Sequence, residues 1–227
     1  MSLALAGSSG CRERRGVERT RICGVVVCGG ASSRMGSDKA RLDLSGRGLL
    51  ERAVAQLDGV AGRVVLACGP RERYGDLGLE RVLDAGEGGG PIAGIVAALA
   101  AVQAEWFCVV ACDMPRLAPV ILERLLARAE ADGLDCCLFE SRRGVEPLCA
   151  VYHRRCLEPM RAALAAGRRR VVAFLEFSHP DGSTVRVGHL QEAQLEDDLR
   201  ARDCAHNLNT PSDLERERER REGERGS

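Results

Sequence analysis

Two apolar runs constrain this chain most, because each stops dead at a residue that cannot continue it. Ile22 to Val27 ends at Cys28-Gly29-Gly30, and Trp106 to Ala111 ends at Cys112-Asp113. Six consecutive apolar residues, with no polar alternation, suit strands buried on both faces of a parallel sheet. Strands of that kind need helical crossovers, and the intervening sequence supplies them. Leu49 to Leu57 places Leu50, Ala53, Val54 and Leu57 on one helical face. Arg63 to Ala67 reads as a strand closed by Gly69-Pro70, and Arg81 to Leu83 as a short strand ending at Asp84. Pro91 suits the first turn of a helix over Ile92 to Val102, since its missing N–H would be unpaired there in any case.

The rest of the chain continues the alternation. Val120 to Ala131 is predicted helical, Cys136 to Phe139 and Leu148 to Tyr152 extended, and Leu157 to Ala166 helical with Gly167 as its stop. Val171 to Phe177 carries a helix pattern, Thr184 to Val187 is expected as a late strand, and Pro211 opens a last helix. These elements predict one α/β domain, a Rossmann-like doubly wound, mostly parallel sheet, over residues 22–214. Residues 1–21 are expected as a disordered extension. Residues 215–227, where Glu and Arg alternate, are expected as a solvated, fraying helix or tail.

Composition then excludes several functions. Thirty-three basic residues balance 33 acidic ones, so no net field draws nucleic acid or anionic lipid. At 3% aromatic, the chain lacks stacking platforms for single strands. No apolar run reaches the ~20 residues needed to span a membrane. Eleven cysteines contain no Cys-x-x-Cys pair and are expected as reduced thiols, which points to a cytoplasmic setting. The four histidines share no metal-ligand spacing.

Ligands of open α/β sheets bind beyond the carboxyl ends of the strands. Gly29-Gly30, Asp84 and Asp113 all fall there. The first loop adds Arg34, Gly36 and Lys39, which gives exposed backbone N–H groups and two cations suited to nucleotide phosphates. It has neither the Walker A spacing nor the Gly-x-Gly-x-x-Gly dinucleotide spacing. Asp113, at the end of a buried strand, needs a partner, and Mg²⁺ shared with substrate phosphates is a natural one; capping the next helix is the plainer role.

Gly29-Gly30-Ala31-Ser32-Ser33-Arg34-Met35-Gly36-Ser37-Asp38-Lys39 resembles the signature loop of molybdenum cofactor guanylyltransferases, the MobA family. Gly90-Pro91-Ile92-Ala93-Gly94, Cys112-Asp113-Met114-Pro115, Glu146-Pro147-Leu148 and Asn207-Leu208-Asn209-Thr210-Pro211 resemble the family's later motifs in the same order. The resemblance spans residues 22–214. It implies the nucleotide-diphospho-sugar transferase fold and transfer of GMP from GTP to molybdopterin bearing molybdenum, with pyrophosphate released. It implies Lys39, Arg34 and Asp113 as catalytic groups and Mg²⁺ on Asp113. It implies nucleotide contacts from Val27, Cys28, Gly29, Gly30, Lys39, Asp84, Gly90, Gly94, Asp113, Asn207 and Asn209. Acceptor molybdoenzymes or their chaperones are the expected onward partners.

The same resemblance leaves readings open. Gly29-Gly30 favours guanine, since the cytidylyl sibling carries Ala-Ala-Gly at this loop. Transfer of CMP to the same acceptor, activation of a sugar phosphate, and GTP binding without catalysis all stay compatible with the motifs. Cys28 stands where the family usually has alanine. Ala67 ends the second strand near where some relatives place an asparagine, so that role is not carried over. Arg168-Arg169-Arg170 and Glu146 are weaker candidates for the acceptor side.

Overall fold

The computed structural model describes residues 18–29, 38–84, 86, 88–197 and 203–225. Seven strands form one mixed sheet in the order β3-β2-β1-β4-β6-β5-β7. Its centre is built from the two uninterrupted apolar runs. β1 (Ile22–Val27) and β4 (Trp106–Ala111) are buried at all twelve positions and pair in parallel, Val27 beside Ala111. β2 (Arg63–Ala67) and β3 (Glu80–Val82) extend the parallel set on the other side of β1.

Helices cover both faces. α1 (Leu49–Asp58) and α3 (Pro119–Ala131) pack over one side, where Leu57, Leu66, Val110 and Leu125 share a core layer. α2 (Gly90–Ala101) and α4 (Leu157–Ala165) cover the other, over Val25, Val65, Phe107 and Tyr152. α2 is apolar nearly all round because it is enclosed by the sheet below and α4 beside it.

β6 (Gly144–His153) is the one reversed strand. It runs antiparallel between β4 and β5 (Cys136–Ser141), to which it is joined by a tight hairpin. Its amino end therefore lies at the carboxyl edge of the parallel strands, which brings Glu146 and Pro147 to the same edge as Gly29 and Asp113.

Two elements differ from the expectations. The late strand is not Thr184 to Val187 but β7 (Val187–Gln191), parallel to β5. Asp135 sets this register: its backbone N–H donates to the Arg186 carbonyl at 2.8 Å, and its carboxylate accepts from Arg186 N–H at 2.8 Å. Pairing thus starts only after Arg186, where β5 itself starts. Val171–Glu176 forms a 3₁₀ segment and not an α-helix.

The last helix, α5 (Pro211–Arg225), runs through the 214/215 boundary drawn from composition. Leu214 packs with Leu44, Leu49 and Leu208 in a small separate core. Glu217 is fully buried. Residues 1–17 and 226–227, with most of the expected N-terminal extension, lie outside the described residues, as do 30–37, 85, 87 and 198–202.

Candidate active site

The parallel strands deliver a row of loops to one edge. In the order of the sheet, Asp84 follows β3, Cys68-Gly69 follow β2, Cys28-Gly29 follow β1 and Cys112-Asp113 follow β4. With adjacent strands about 4.8 Å apart, the row from Asp84 to Asp113 spans roughly 14 Å, the reach of a nucleoside triphosphate laid across the strand ends.

At the β1/β4 end, Lys39 Nζ donates to Asp113 Oδ2 at 2.6 Å and to Asn209 Oδ1 at 3.2 Å. The Lys39 and Asp113 side chains are 15% and 18% exposed, so the pair is half enclosed but open to a ligand. Asn209 is held by its own chain: Leu208 N–H donates to the Asp113 carbonyl at 3.0 Å, and Asp213 accepts from the backbone N–H of Asn209 and Thr210. The Asn-x-Asn-Thr-Pro segment is thus pinned to the loop that carries Asp113.

One oxygen of this group is left over. Asp113 Oδ1 is buried and has no hydrogen-bond partner among the described residues. A buried, unpaired carboxylate oxygen is unfavourable by itself. Next to a lysine and an open edge, it fits a single-carboxylate hold on a hard cation that takes its other ligands from phosphates and water. Among the described residues no group of three or more His, Cys, Asp or Glu side chains forms a protein-only metal cage.

The middle of the row encloses a cavity of about 560 Å³, lined among others by Val27, Gly29, Gly69, Gly90, Pro91 and Gly94. Backbone closeness explains the glycines. A Cβ on Gly29 would lie 2.5 Å from the Gly69 nitrogen, so only glycine lets these two strand ends meet. Gly90 opens α2 at φ +68°, a left-handed conformation that side chains resist. The Cys28 side chain is buried in the core layer under α1 and α3.

Asp84 lies at the far end, between this cavity and a smaller one of about 250 Å³ that it lines with Gly86, Gly89 and Arg169. Its Oδ1 is buried with no hydrogen-bond partner among the described residues. Burial pushes its carboxyl above the usual carboxylate range. A donor-bearing ligand, such as a ribose or a guanine edge, would satisfy that oxygen.

The structure therefore brings Lys39, Asp113 and Asn209 into direct contact and places Val27, Gly29, Gly90 and Gly94 around one cavity. Gly30 and Arg34 lie outside the described residues. Asn207 hydrogen-bonds Glu146, which also accepts from Ser141 Oγ at 3.4 Å. Burial raises the Glu146 carboxyl, the neighbouring Asp113 charge adding to it.

Sequence reasoning missed the Asp38 cluster. Asp38 caps the 3₁₀ turn Lys39–Arg41 by accepting from Ala40 N–H, accepts the Tyr74 hydroxyl at 2.8 Å and pairs with Arg73 at 2.9 Å. Tyr74 sits at φ +59° with the Arg73 and Arg41 guanidinium groups against its ring. This fixes the chain immediately before Lys39. The only available signal was a tyrosine, one of two in the chain, set among charged residues.

A third cavity, about 760 Å³, shares Pro91 with the first and is lined by Arg143, Pro147, Arg169, Arg170 and His189 among others. Of the arginine triplet, Arg169 and Arg170 face it, while Arg168 pairs with Glu176.

A Rossmann-like sheet with one reversed strand and a lysine–aspartate pair beside a glycine-lined cavity defines the nucleotidyltransferase class of α/β proteins. The pattern of MobA-like NTP transferase domains matches residues 24–181, and the chain belongs to that family. A probable molybdenum cofactor guanylyltransferase of Pelotomaculum thermopropionicum is 34% identical, over 84% of this chain and 89% of its own. One of Chloroflexus aggregans is also 34% identical, over 85% and 91%. The crystal structure of molybdopterin-guanine dinucleotide biosynthesis protein A from Archaeoglobus fulgidus superimposes with a TM-score of 0.74 at 27% identity, covering 88% of this chain and 99% of that one.

Proposed function

We propose that the protein transfers GMP from GTP to the terminal phosphate of molybdopterin bearing molybdenum, releasing pyrophosphate. The observation that carries this reading is the Lys39–Asp113–Asn209 contact, with Asp113 Oδ1 unpaired beside it. A phosphate oxygen is already anionic near neutral pH, so no general base is required. It attacks the α-phosphorus in line, the bond to the bridging oxygen breaks, and pyrophosphate leaves with the electron pair. What such a reaction needs is alignment and charge neutralisation.

Lys39 supplies a positive charge held in place by two partners, and Asn209 fixes its position. Asp113 would hold Mg²⁺ through its free oxygen, and the ion would neutralise charge on the phosphates. The guanosine end would lie toward Asp84 across the 560 Å³ cavity. The acceptor would enter from the cavity beyond Pro91, where Arg169 and Arg170 offer cations to its phosphate. Arg34 completes the phosphate-binding set in this reading, and delivery to molybdoenzymes or their chaperones in the cytoplasm follows as the onward step. Among the described residues, no helix is long and apolar enough to cross a membrane.

The test is a product assay with Mg²⁺, molybdenum-loaded molybdopterin and either GTP or CTP, read by mass. A guanine dinucleotide with GTP alone supports acceptor, reaction and base together. A cytosine product moves the chain to the sibling activity. Tight GTP binding with no pyrophosphate release overturns the enzyme reading in favour of a binding module.

A further inference from the structure

The register pairs Val27 with Ala67 and with Ala111, and the residue that follows each of the three is a cysteine: Cys28, Cys68 and Cys112. Within this row the Cys28 and Cys68 sulfurs are 3.9 Å apart. Neighbouring strands are about 4.8 Å apart, inside the Cα separation of 4.4–6.8 Å that a disulfide usually spans. Cys68 borders the 560 Å³ cavity. We propose that Cys28 and Cys68 are a redox modification site, forming a reversible disulfide that impairs GTP binding. The proposal rests on the reading of that cavity as the nucleotide site.

The chemistry balances with hydrogen peroxide as oxidant. The Cys68 thiolate attacks the peroxide oxygen, giving a sulfenic acid and, once protonated, water. Cys28 sulfur then attacks the sulfenyl sulfur, and hydroxide leaves, taking the Cys28 proton to form a second water. Two thiols are oxidised by two electrons, and one peroxide is reduced. A dithiol reverses the step by exchange.

The order of attack follows from position. Cys68 lines the cavity and Cys28 does not, so Cys68 is the attacking thiolate and Cys28 the resolving thiol.

The link would act on the cavity through backbone. The sulfurs must close from 3.9 Å to about 2.05 Å. The residues that follow, Gly29 and Gly69, are already packed so closely that a Cβ on Gly29 would overlap the Gly69 nitrogen. Side-chain rotation closes the gap between the sulfurs within the existing strand spacing, and the covalent link then fixes the spacing at Gly29 and Gly69, which both line the cavity.

The experiment treats the reduced full-length chain with hydrogen peroxide, blocks remaining thiols with an alkylating agent and maps peptides by mass spectrometry. GTP affinity is measured on parallel samples. The expected result is a Cys28–Cys68 linked peptide and GTP affinity at least about tenfold weaker. Dithiothreitol should restore both, and GTP added beforehand should slow linkage. Cys68→Ala, compared with its own untreated form, should keep its affinity through peroxide treatment. Linkage of Cys28 to Cys112, absence of any Cys28–Cys68 link, or a link that leaves GTP affinity unchanged would each overturn the proposal. Untreated protein that does not bind GTP overturns the nucleotide reading and the proposed effect on GTP with it, while the peptide map still decides whether the disulfide forms.

Discussion

Glu217 and Asp113 both pair with cations, yet they are left in opposite conditions. Glu217 accepts from Arg116 Nε at 2.7 Å, from Arg220 at 2.8 and 3.0 Å, and from Arg221 at 2.8 Å, so both of its oxygens are filled. Asp135 is similar: Arg155, His179 and the Arg186 N–H all converge on a side chain 3% exposed. Asp113 has one lysine on one oxygen and nothing among the described residues on the other, and Asp84 likewise keeps a bare oxygen. The saturated carboxylates tie elements together, with Glu217 joining α5 to the loop after β4. The unsaturated ones both stand at the carboxyl edge of the parallel strands. The carboxylates that hold the fold are completed by it; among the described residues, the two at the strand edge are not.

That contrast can be broken by mutation. Glu217→Ala leaves three arginines around an empty site and should lower stability by about 3–5 kcal/mol, read as a fall in the denaturant midpoint; a change below about 1 kcal/mol would place Glu217 with the solvated charges around it. Acid should act on the same group. Burial alone would raise its pKa, but Arg220, Arg116 and Arg221 outweigh it and hold it near 2, against an ordinary 4.5. Because the folded value is the lower one, its contribution is complete above about pH 4.5 and is lost as pH falls toward 2. Glu217→Gln should flatten that limb of the stability profile.

Lys39→Ala and Asp113→Ala should do the reverse, each lowering turnover on the order of 100-fold, about 2.7 kcal/mol, with melting temperatures close to the parent. Near-normal pyrophosphate release in either would sink the catalytic assignment. The smallest effect is the most diagnostic. Asp84→Asn removes a charge that burial disfavours, so the empty protein should gain up to about 1 kcal/mol while its affinity for GTP falls. Lost stability in this variant would show that Asp84 belongs with Glu217 and not with Asp113.

What was legible in the sequence follows the same division. The uninterrupted β1 and β4, Gly29, Asp84 and Asp113 announce themselves locally, through apolar runs that end at glycine or acid. Glu217 was hidden, because one inward-facing acid in a Glu/Arg alternation has the same composition as its solvated neighbours. β7 was misplaced because Gly188, His189 and Gln191 blur the apolar pattern and because its start is set by a hydrogen bond between Asp135 and Arg186, 51 residues apart. The thiol pair at Cys28 and Cys68 was invisible for a similar reason. Only the register of two strands reveals that residues 40 positions apart touch.

The Lys39–Asn209 contact closes a loop of 170 residues. A chain emerging from the ribosome completes its amino-terminal strands first, yet Lys39 acquires its second partner only when residue 209 arrives to dock against Asp113. This contact is therefore completed nearly last in synthesis, and a nascent chain stalled before Asn207 would carry a nearly complete sheet with Lys39 held by Asp113 alone.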